Sequence, residues 1–365
     1  MTHSTPPLTD SLLNPLAKLA YQTLQQGKSA FGAAHKTLNN QLVNLFAPPT
    51  ALQQEQIQSL SPEQLLKIQQ RMLQLQDADW ADAEQDVYPR ELLFEEAWDD
   101  FFKFYPAVWF DMPSTWQRVR NNRYQDFSKE VETEGYPQYY LRNFHFQTDG
   151  YLSDQSANLY DLQVELLFNG SADAMRRRIL APLKQGLGHL GLSDRELKIL
   201  DVACGTGRTL KMLRAAFPKA SLYGADLSPA YLRKANELLL KQKGELPQLL
   251  QAKGESLPYV DEYFHGISCV FLFHELPAPI RQAVINENFR VLKPGGTYVI
   301  CDSIQASDNP ELKPAMENFS AAFHEPFYRN YIEDNMEARL TEAGFEVLQV
   351  SNHFMSKYWV AKKPA

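Results

Sequence analysis

Two stretches hold most of the side chains that can do chemistry. One is Lys198-Ile199-Leu200-Asp201-Val202-Ala203-Cys204-Gly205-Thr206-Gly207-Arg208. The other is Val270-Phe271-Leu272-Phe273-His274-Glu275-Leu276. In the first, the apolar run from Ile199 to Val202 reads as a buried parallel strand, and Thr209 onward reads as the start of a helix. Glycines between them let the backbone take conformations that other residues avoid and come close to a ligand. The helix start beyond presents unpaired N–H groups. Such a turn is a nucleotide cradle, although a tight αβ turn without a ligand has the same local needs.

Two details choose among nucleotide cofactors. A dinucleotide fingerprint, G-x-G-x-x-G, wants a third glycine where Leu210 stands. Asp201 at the strand end would repel a pyrophosphate, but it suits a ligand carrying positive charge. S-adenosylmethionine has a sulfonium, an ammonium and no phosphate. Downstream, Asp226 in Gly224-Ala225-Asp226-Leu227-Ser228-Pro229 follows Gly207 by 19 residues. That is near the spacing at which a carboxylate takes ribose hydroxyls, a charge-assisted arrangement. Ser228-Pro229 would cap the next helix, and Asp226 could serve that cap alone.

His274 and Glu275 fall where the fourth strand ends. In open α/β sheets ligands sit beyond the carboxyl ends of strands. A histidine there can take a proton near neutral pH, with Glu275 to orient it, or it can simply pack. Asn143-Phe144-His145-Phe146-Gln147-Thr148-Asp149-Gly150-Tyr151 alternates polar and aromatic residues. It would put His145, Gln147 and Asp149 on one side beside a ligand, or form an edge strand with a wet face. His145 and Tyr151 join His274 and Glu275 as catalytic candidates. His324, Glu325 and Tyr328 form a further tier.

The elements that must position these groups follow from periodicity. A chain of 365 residues points to two domains. From residue 197, strands at 197–202, 221–225, 248–252, 267–272, 296–302, 345–350 and 356–361 alternate with helices near 208–216, 229–241, 278–291 and 330–343. This is the signature of a sheet covered on both faces. Upstream, Phe31, Leu38, Leu42 and Leu45 give residues 1–50 a helical stripe, weakly tethered. It docks on the body, pairs with a partner or lies on a membrane surface. Ser61-Pro62-Glu63-Gln64 starts a capped helix with the stripe Leu65, Ile68, Met72 and Leu75. Another helix follows Pro89, carrying Leu93, Phe94, Ala97, Trp98, Phe101 and Phe102. A helix over 172–187 bears Arg176-Arg177-Arg178, read as a solvated face or an ion-pair set.

From Asp201 to Gly207 the chain resembles the first motif of class I S-adenosylmethionine-dependent methyltransferases. Gln251 to Tyr259 resembles the segment that holds the adenine, with Lys253 where an Asp is usual; His265 stands where another Asp is common. Arg290-Val291-Leu292-Lys293-Pro294-Gly295-Gly296 resembles the turn before the fifth strand in the ubiquinone/menaquinone-type small-molecule branch. The resemblance implies a Rossmann-like, seven-stranded, mostly parallel α/β sheet with an antiparallel last strand in residues 151–365, the cofactor-binding domain. It does not cover roughly the first 150 residues, whose helical stripes and aromatic residues mark 1–150 as a mainly helical, aromatic-rich accessory or lid region. It assigns S-adenosyl-L-methionine to Asp201, Ala203, Gly205, Gly207, Asp226, Leu227, Gly254, Glu255 and Phe271.

The expected activity is in-line methyl transfer to a small, partly apolar acceptor such as a quinone or phenol. A non-catalytic binding module acting through its N-terminal helices, or a nicotinamide oxidoreductase, are the alternatives. The net charge of −8 argues against nucleic acid. Cys204, Cys269 and Cys301 lack metal-like spacing and read as buried reduced thiols, so no metal is expected. No apolar run is long enough to span a membrane, and no secretory signal opens the chain. A cytoplasmic location follows, with peripheral membrane contact and homo-oligomerisation left open.

Overall fold

A computed structural model describes residues 8–48, 60–95 and 101–365. Seven strands, β1 (Lys198–Val202), β2 (Ser221–Asp226), β3 (Gln248–Gln251), β4 (Phe264–Val270), β5 (Leu292–Ser303), β6 (Glu346–His353) and β7 (Ser356–Lys362), form one sheet. Its order is β3-β2-β1-β4-β5-β7-β6, with β7 antiparallel to both neighbours and the other pairs parallel. The order reverses between β1 and β4, so the ends of those strands open the crevice where ligands of such sheets bind. Period-two alternation assigns the two cores. Ile199, Val299 and Val360 enter one, with Leu183, Leu210 and Leu213. Leu200, Ile300 and Trp359 enter the other, with Val284, Ile285 and Leu340.

The Lys293-Pro294-Gly295-Gly296 segment lies inside β5 rather than before it. Pairing with β4 jumps from Phe264↔Leu292 to Gly266↔Thr297, so these residues form a bulge, with Gly295 at φ 77°. A bulge of this kind kinks the strand and disrupts the ladder locally.

The N-terminal helices dock on this sheet domain. The first, Leu8–Phe46, sets Phe31 edge-on against Phe101 and Tyr105, with ring centroids 5.1 and 5.2 Å apart. Its Lys36 Nζ donates to Leu167 O at 2.7 Å and Asn169 Oδ1 at 2.9 Å, and burial brings that amine down to about 8. The expected stripe is only partly used, since Leu45 is 70% exposed. Helix Pro62–Glu84 begins with both hydrogen bonds of the expected capping box. Met72 and Leu75 of its stripe are buried, but Leu65 is 54% exposed.

Asp79 on that helix is the main anchor. Its carboxylate accepts from Tyr21 Oη (2.8 Å), Tyr88 Oη (2.7 Å), Arg177 Nη2 (2.7 Å) and Arg177 Nε (3.0 Å), all buried. Arg176 pairs with Asp173, and Arg178 pairs with Asp82. The triple arginine is thus an ion-pair set, not a solvated face; its charges are shielded by partners that spacing alone does not reveal. The helix expected over 172–187 breaks into Ala172–Arg177 and Leu180–Gly188, and that over 330–343 into Tyr328–Tyr331 and Met336–Glu342.

After Pro89 there is a short 3-10 turn, Arg90–Leu93, and a helix resumes at Phe101–Asn121. Ala97 and Trp98 of the helix expected there lie outside the described residues. Asn143 to Tyr151 is not an edge strand. It coils through left-handed backbone at His145, Phe146, Asp149 and Gly150.

Candidate functional site

The cofactor motifs converge at the ends of β1, β2, β3 and β4. The turn after β1 runs through left-handed backbone at Ala203 (φ 57°), Gly205 (φ 53°) and Gly207 (φ 81°). A Cβ at Gly205 would meet nothing nearer than Tyr231 Cδ1 at 4.0 Å, so that face of the turn is open. A Cβ at Gly207 would come within 3.0 Å of Ala235, so this glycine serves close packing against helix Pro229–Leu239.

Asp226 closes the turn from β2. Its Oδ2 accepts from Gly205 N–H and its Oδ1 from Ser228 N–H, each at 2.8 Å. Burial raises its pKa, and the N–H groups of Ser228, Gly205 and Leu227 oppose that rise. A carboxylate has about four acceptor positions, so two backbone donors leave capacity for ribose hydroxyls.

A small cavity of about 50 Å³ lies against Ala203, Asp226, Leu227, Gly254, Glu255 and Glu275. Five of the nine assigned cofactor residues therefore line one space, together with Lys253. Tyr139, Tyr140 and Phe144 close it from the N-terminal side, and Tyr139 Oη donates to Glu255 at 2.7 Å. The polar groups and open glycine turn suit a nucleoside. The volume is below the ~300–1,000 Å³ of ordinary ligand sites, so ligand entry must shift this tyrosine strap. Tyr139→Phe removes one hydrogen bond, worth about 1 kcal/mol, that entry has to break. Nucleoside affinity should rise about fivefold, measurable by calorimetry; unchanged affinity would show that the strap stays in place.

Asp201, Gly205, Gly207 and Phe271 stand outside that lining. Asp201 is buried at the end of β1 and accepts from Ser268 Oγ at 2.7 Å. Burial, then the Asp226 charge, raise it to about 7, against Ser268 and Arg176. A folded pKa above the unfolded one gives stability that is complete at acid pH and lost as pH rises through the folded value. Asp201→Asn should therefore gain stability over the parent between pH 4 and pH 8, by up to roughly 4 kcal/mol at ~1.4 kcal/mol per pH unit. Urea melts across that range check it, and a constant difference would contradict it. Phe271, at φ 59°, stacks against Phe168 with centroids 6.2 Å apart and lies under the Arg176 guanidinium. His265 accepts from Lys198 N–H at 3.0 Å, a purely local role.

The catalytic candidates gather next to this cavity. Single ligating atoms of His145, His274, Glu275 and Glu325 all lie within 4.8 Å of one another. Tyr151 Oη donates a short hydrogen bond to Glu275. His274 is oriented by Asp302 at the end of β5, not by Glu275. His274 Nδ1 is 2.6 Å from Asp302 Oδ1, whereas its Nε2 is 3.9 Å from Glu275 Oε1. An ionised carboxylate only accepts, so the ring N–H donates. Phe273 N–H and Ser303 N–H fix Asp302 in turn. Burial alone would lower His274; Asp302, then Glu325 and Glu275, raise it to about 10. Glu275 is lifted to about 7 by burial and by Glu325, against His274 and His145. Asp302 was missed in the sequence; the available signal was an acid at the carboxyl end of a central strand.

Gln147 reaches the same neighbourhood, but Asp149 does not. Asp149 accepts from Ser128 N–H at 2.8 Å and Ser128 Oγ at 3.2 Å. His324 stacks on Tyr124, centroids 4.3 Å apart, and burial takes it down to about 4. Tyr328 exchanges a 2.7 Å hydrogen bond with Ser303.

A second cavity, about 590 Å³, is lined in part by His145 of the cluster. Its walls include His35, Asn39 and Val43 from the first helix, Val108, Met112 and Trp116 from Phe101–Asn121, and Tyr160 and Val164 from Asp154–Leu167. His145, Gln147 and Phe323 complete it. The four-residue cluster is thus a partition, with Glu275 on the smaller cavity and His145 on the larger.

Residues 199–296 match a family model described as a methyltransferase domain. A ubiquinone/menaquinone biosynthesis C-methyltransferase of Syntrophotalea carbinolica is 37% identical over 161 residues, 44% of this chain and 63% of that protein. A demethylmenaquinone methyltransferase of Thermus thermophilus is 33% identical over 143 residues, 39% of this chain and 60% of that protein. The structure of human N-acetylserotonin methyltransferase with S-adenosylmethionine superposes with a TM-score of 0.47 at 14% identity, covering 69% of this chain and 67% of that one. The family model, the motif order and the sheet order mark residues 199–296 as a methyltransferase domain of the class I S-adenosylmethionine-dependent kind. In sequence this region is similar to ubiquinone/menaquinone C-methyltransferases. The chain spans only 60% and 63% of the length of those two curated relatives.

Proposed function

We propose that the chain transfers the methyl group of S-adenosylmethionine to a small, partly apolar acceptor of the quinol or phenol class. The observation that carries this reading is the partition: a nucleoside-suited cavity and a larger, mainly apolar one meet at a single cluster of titratable side chains. The relatives named for quinone methylation support the acceptor class. When bound, the cofactor supplies an electrophilic methyl group on a sulfonium.

The chain's own residues bind, orient and hold protons. Asp226 would take the ribose hydroxyls, and Leu227, Gly254 and Glu255 would hold the adenine. Ala203 and Gly205 would give backbone room, and Asp201, ionised as pH rises through about 7, would supply negative charge near the ammonium. A dry, aligned pocket suits a displacement in which a sulfonium loses its charge. Glu275, lifted to about 7, is the group that can take an acceptor proton near neutrality, with Tyr151 holding it in place. His274, held protonated beside Asp302, donates rather than accepts. Residues 1–150 act as the accessory and lid region, because their helices wall the larger cavity.

Val43→Trp fills that cavity from the first helix. The acceptor KM should rise at least tenfold, about 1.4 kcal/mol, with the cofactor affinity unchanged. An unchanged acceptor KM would place the acceptor elsewhere.

A further inference from the structure

We propose that His145, His274, Glu275 and Glu325 form a binding site for one divalent first-row transition-metal ion, of the zinc or iron(II) kind. The four side chains come from three separated stretches of chain, yet they present two ring nitrogens and two carboxylates to one point. Two imidazoles and two carboxylates are a usual donor set for these ions. No spacing pattern announces them, because only the fold brings residues 145, 274–275 and 325 together.

The observation that separates a site from a mere cluster is Glu325. Its side chain is 0% exposed, and neither carboxylate oxygen accepts a hydrogen bond among the described residues. Its Oε1 lies 2.5 Å from His145 Nε2, but out of line for an N–H···O bond, and that nitrogen is likewise buried without a hydrogen bond. Against the effect of burial, the Glu325 charge raises the His145 imidazole, but a buried carboxylate whose oxygens accept no aligned hydrogen bond is still costly. A bound dication would satisfy both atoms together.

The surroundings have the form of a metal site's outer layer. Ligating histidines usually donate their second ring N–H to a carboxylate. His274 does so to Asp302, and its Nε2 faces the cluster, where a bound ion would displace the proton that Nε2 carries in the metal-free protein. Tyr151 Oη holds Glu275. His145 reaches the cluster from left-handed backbone, φ 54° and ψ 18°, a conformation that costs energy in a non-glycine residue.

The test needs neither cofactor nor acceptor, so it can fail while methyl transfer stands. The intact chain is stripped with a chelator, dialysed and titrated with Zn²⁺, and separately with Co²⁺ followed by visible absorption. One equivalent of each ion should bind, the cobalt form showing ligand-field bands. Glu325→Gln and His145→Gln, each checked for folding by thermal melt, should lose more than the ~10–100-fold of an outer-layer change. Asp302→Asn, which touches only the outer layer, should fall within that ~10–100-fold range. Should one of the two ligand variants fail to fold, the other decides. Absence of stoichiometric binding by the parent chain, or equal binding by the folded ligand variants, would overturn the site.

Discussion

Asp226→Ala should weaken S-adenosylmethionine binding by at least ~100-fold, the equivalent of about 2.7 kcal/mol. Two ribose hydroxyls would lose a charged acceptor, and hydrogen bonds to charged groups contribute about 1.5–3 kcal/mol each. The variant also releases the N–H groups of Gly205 and Ser228, both held at 2.8 Å. The glycine turn then loses the contact that fixes its register against β2. Asp226→Asn separates the two effects. An amide keeps one acceptor oxygen but cannot satisfy both backbone donors and both hydroxyls, so it should fall between parent and alanine variant. Calorimetric titration with S-adenosylmethionine and S-adenosylhomocysteine gives the three affinities. Equal affinity in all three would remove Asp226 from the cofactor site.

Asp79→Ala should cost about 3–5 kcal/mol of folding stability, the range for breaking a buried charge pair. Arg177 would stay buried without its carboxylate, and the hydroxyls of Tyr21 and Tyr88 would lose their acceptor. Because Tyr21, Asp79 and Arg177 lie on three different helices, the loss falls on the docking of the N-terminal helices. The double variant Asp79→Leu, Arg177→Met should recover much of it, since an apolar pair can replace a buried ion pair at little cost. Urea unfolding of the three proteins measures this. A loss below ~1 kcal/mol in the single variant would mean that the N-terminal helices are held mainly by apolar contacts.

The sheet was legible because its strands are short apolar runs between turn signals, and all seven appear within a few residues of the expected bounds. The cofactor motif was legible for a related reason. Asp201, Gly205, Gly207 and Asp226 are local to one strand–turn–helix–strand unit, so spacing constrains them. Longer-range relations were not. Nothing near Arg177 in sequence announces Asp79, 98 positions away, and burial of the arginines depends on that partner. Asp302 reaches His274 across 28 positions, and Glu325 reaches His145 only after the excursion beyond β5 folds back. The alternation in Asn143–Tyr151 misled because alternating polarity favours a strand only where backbone can extend. Here left-handed turns at His145, Phe146 and Asp149 coil the segment, and His145 is thereby aimed at the cluster while Asp149 turns to Ser128.

The most direct test of the central reading is methyl transfer itself. The intact chain is incubated with methyl-labelled S-adenosylmethionine and a panel of quinols and phenols. S-adenosylhomocysteine formation and label on the acceptor are followed together. Acceptor-dependent formation of both in equal amounts is expected. Tight cofactor binding with no transfer to any member of the panel would contradict methyl transfer and leave the chain a binding module built on a methyltransferase fold.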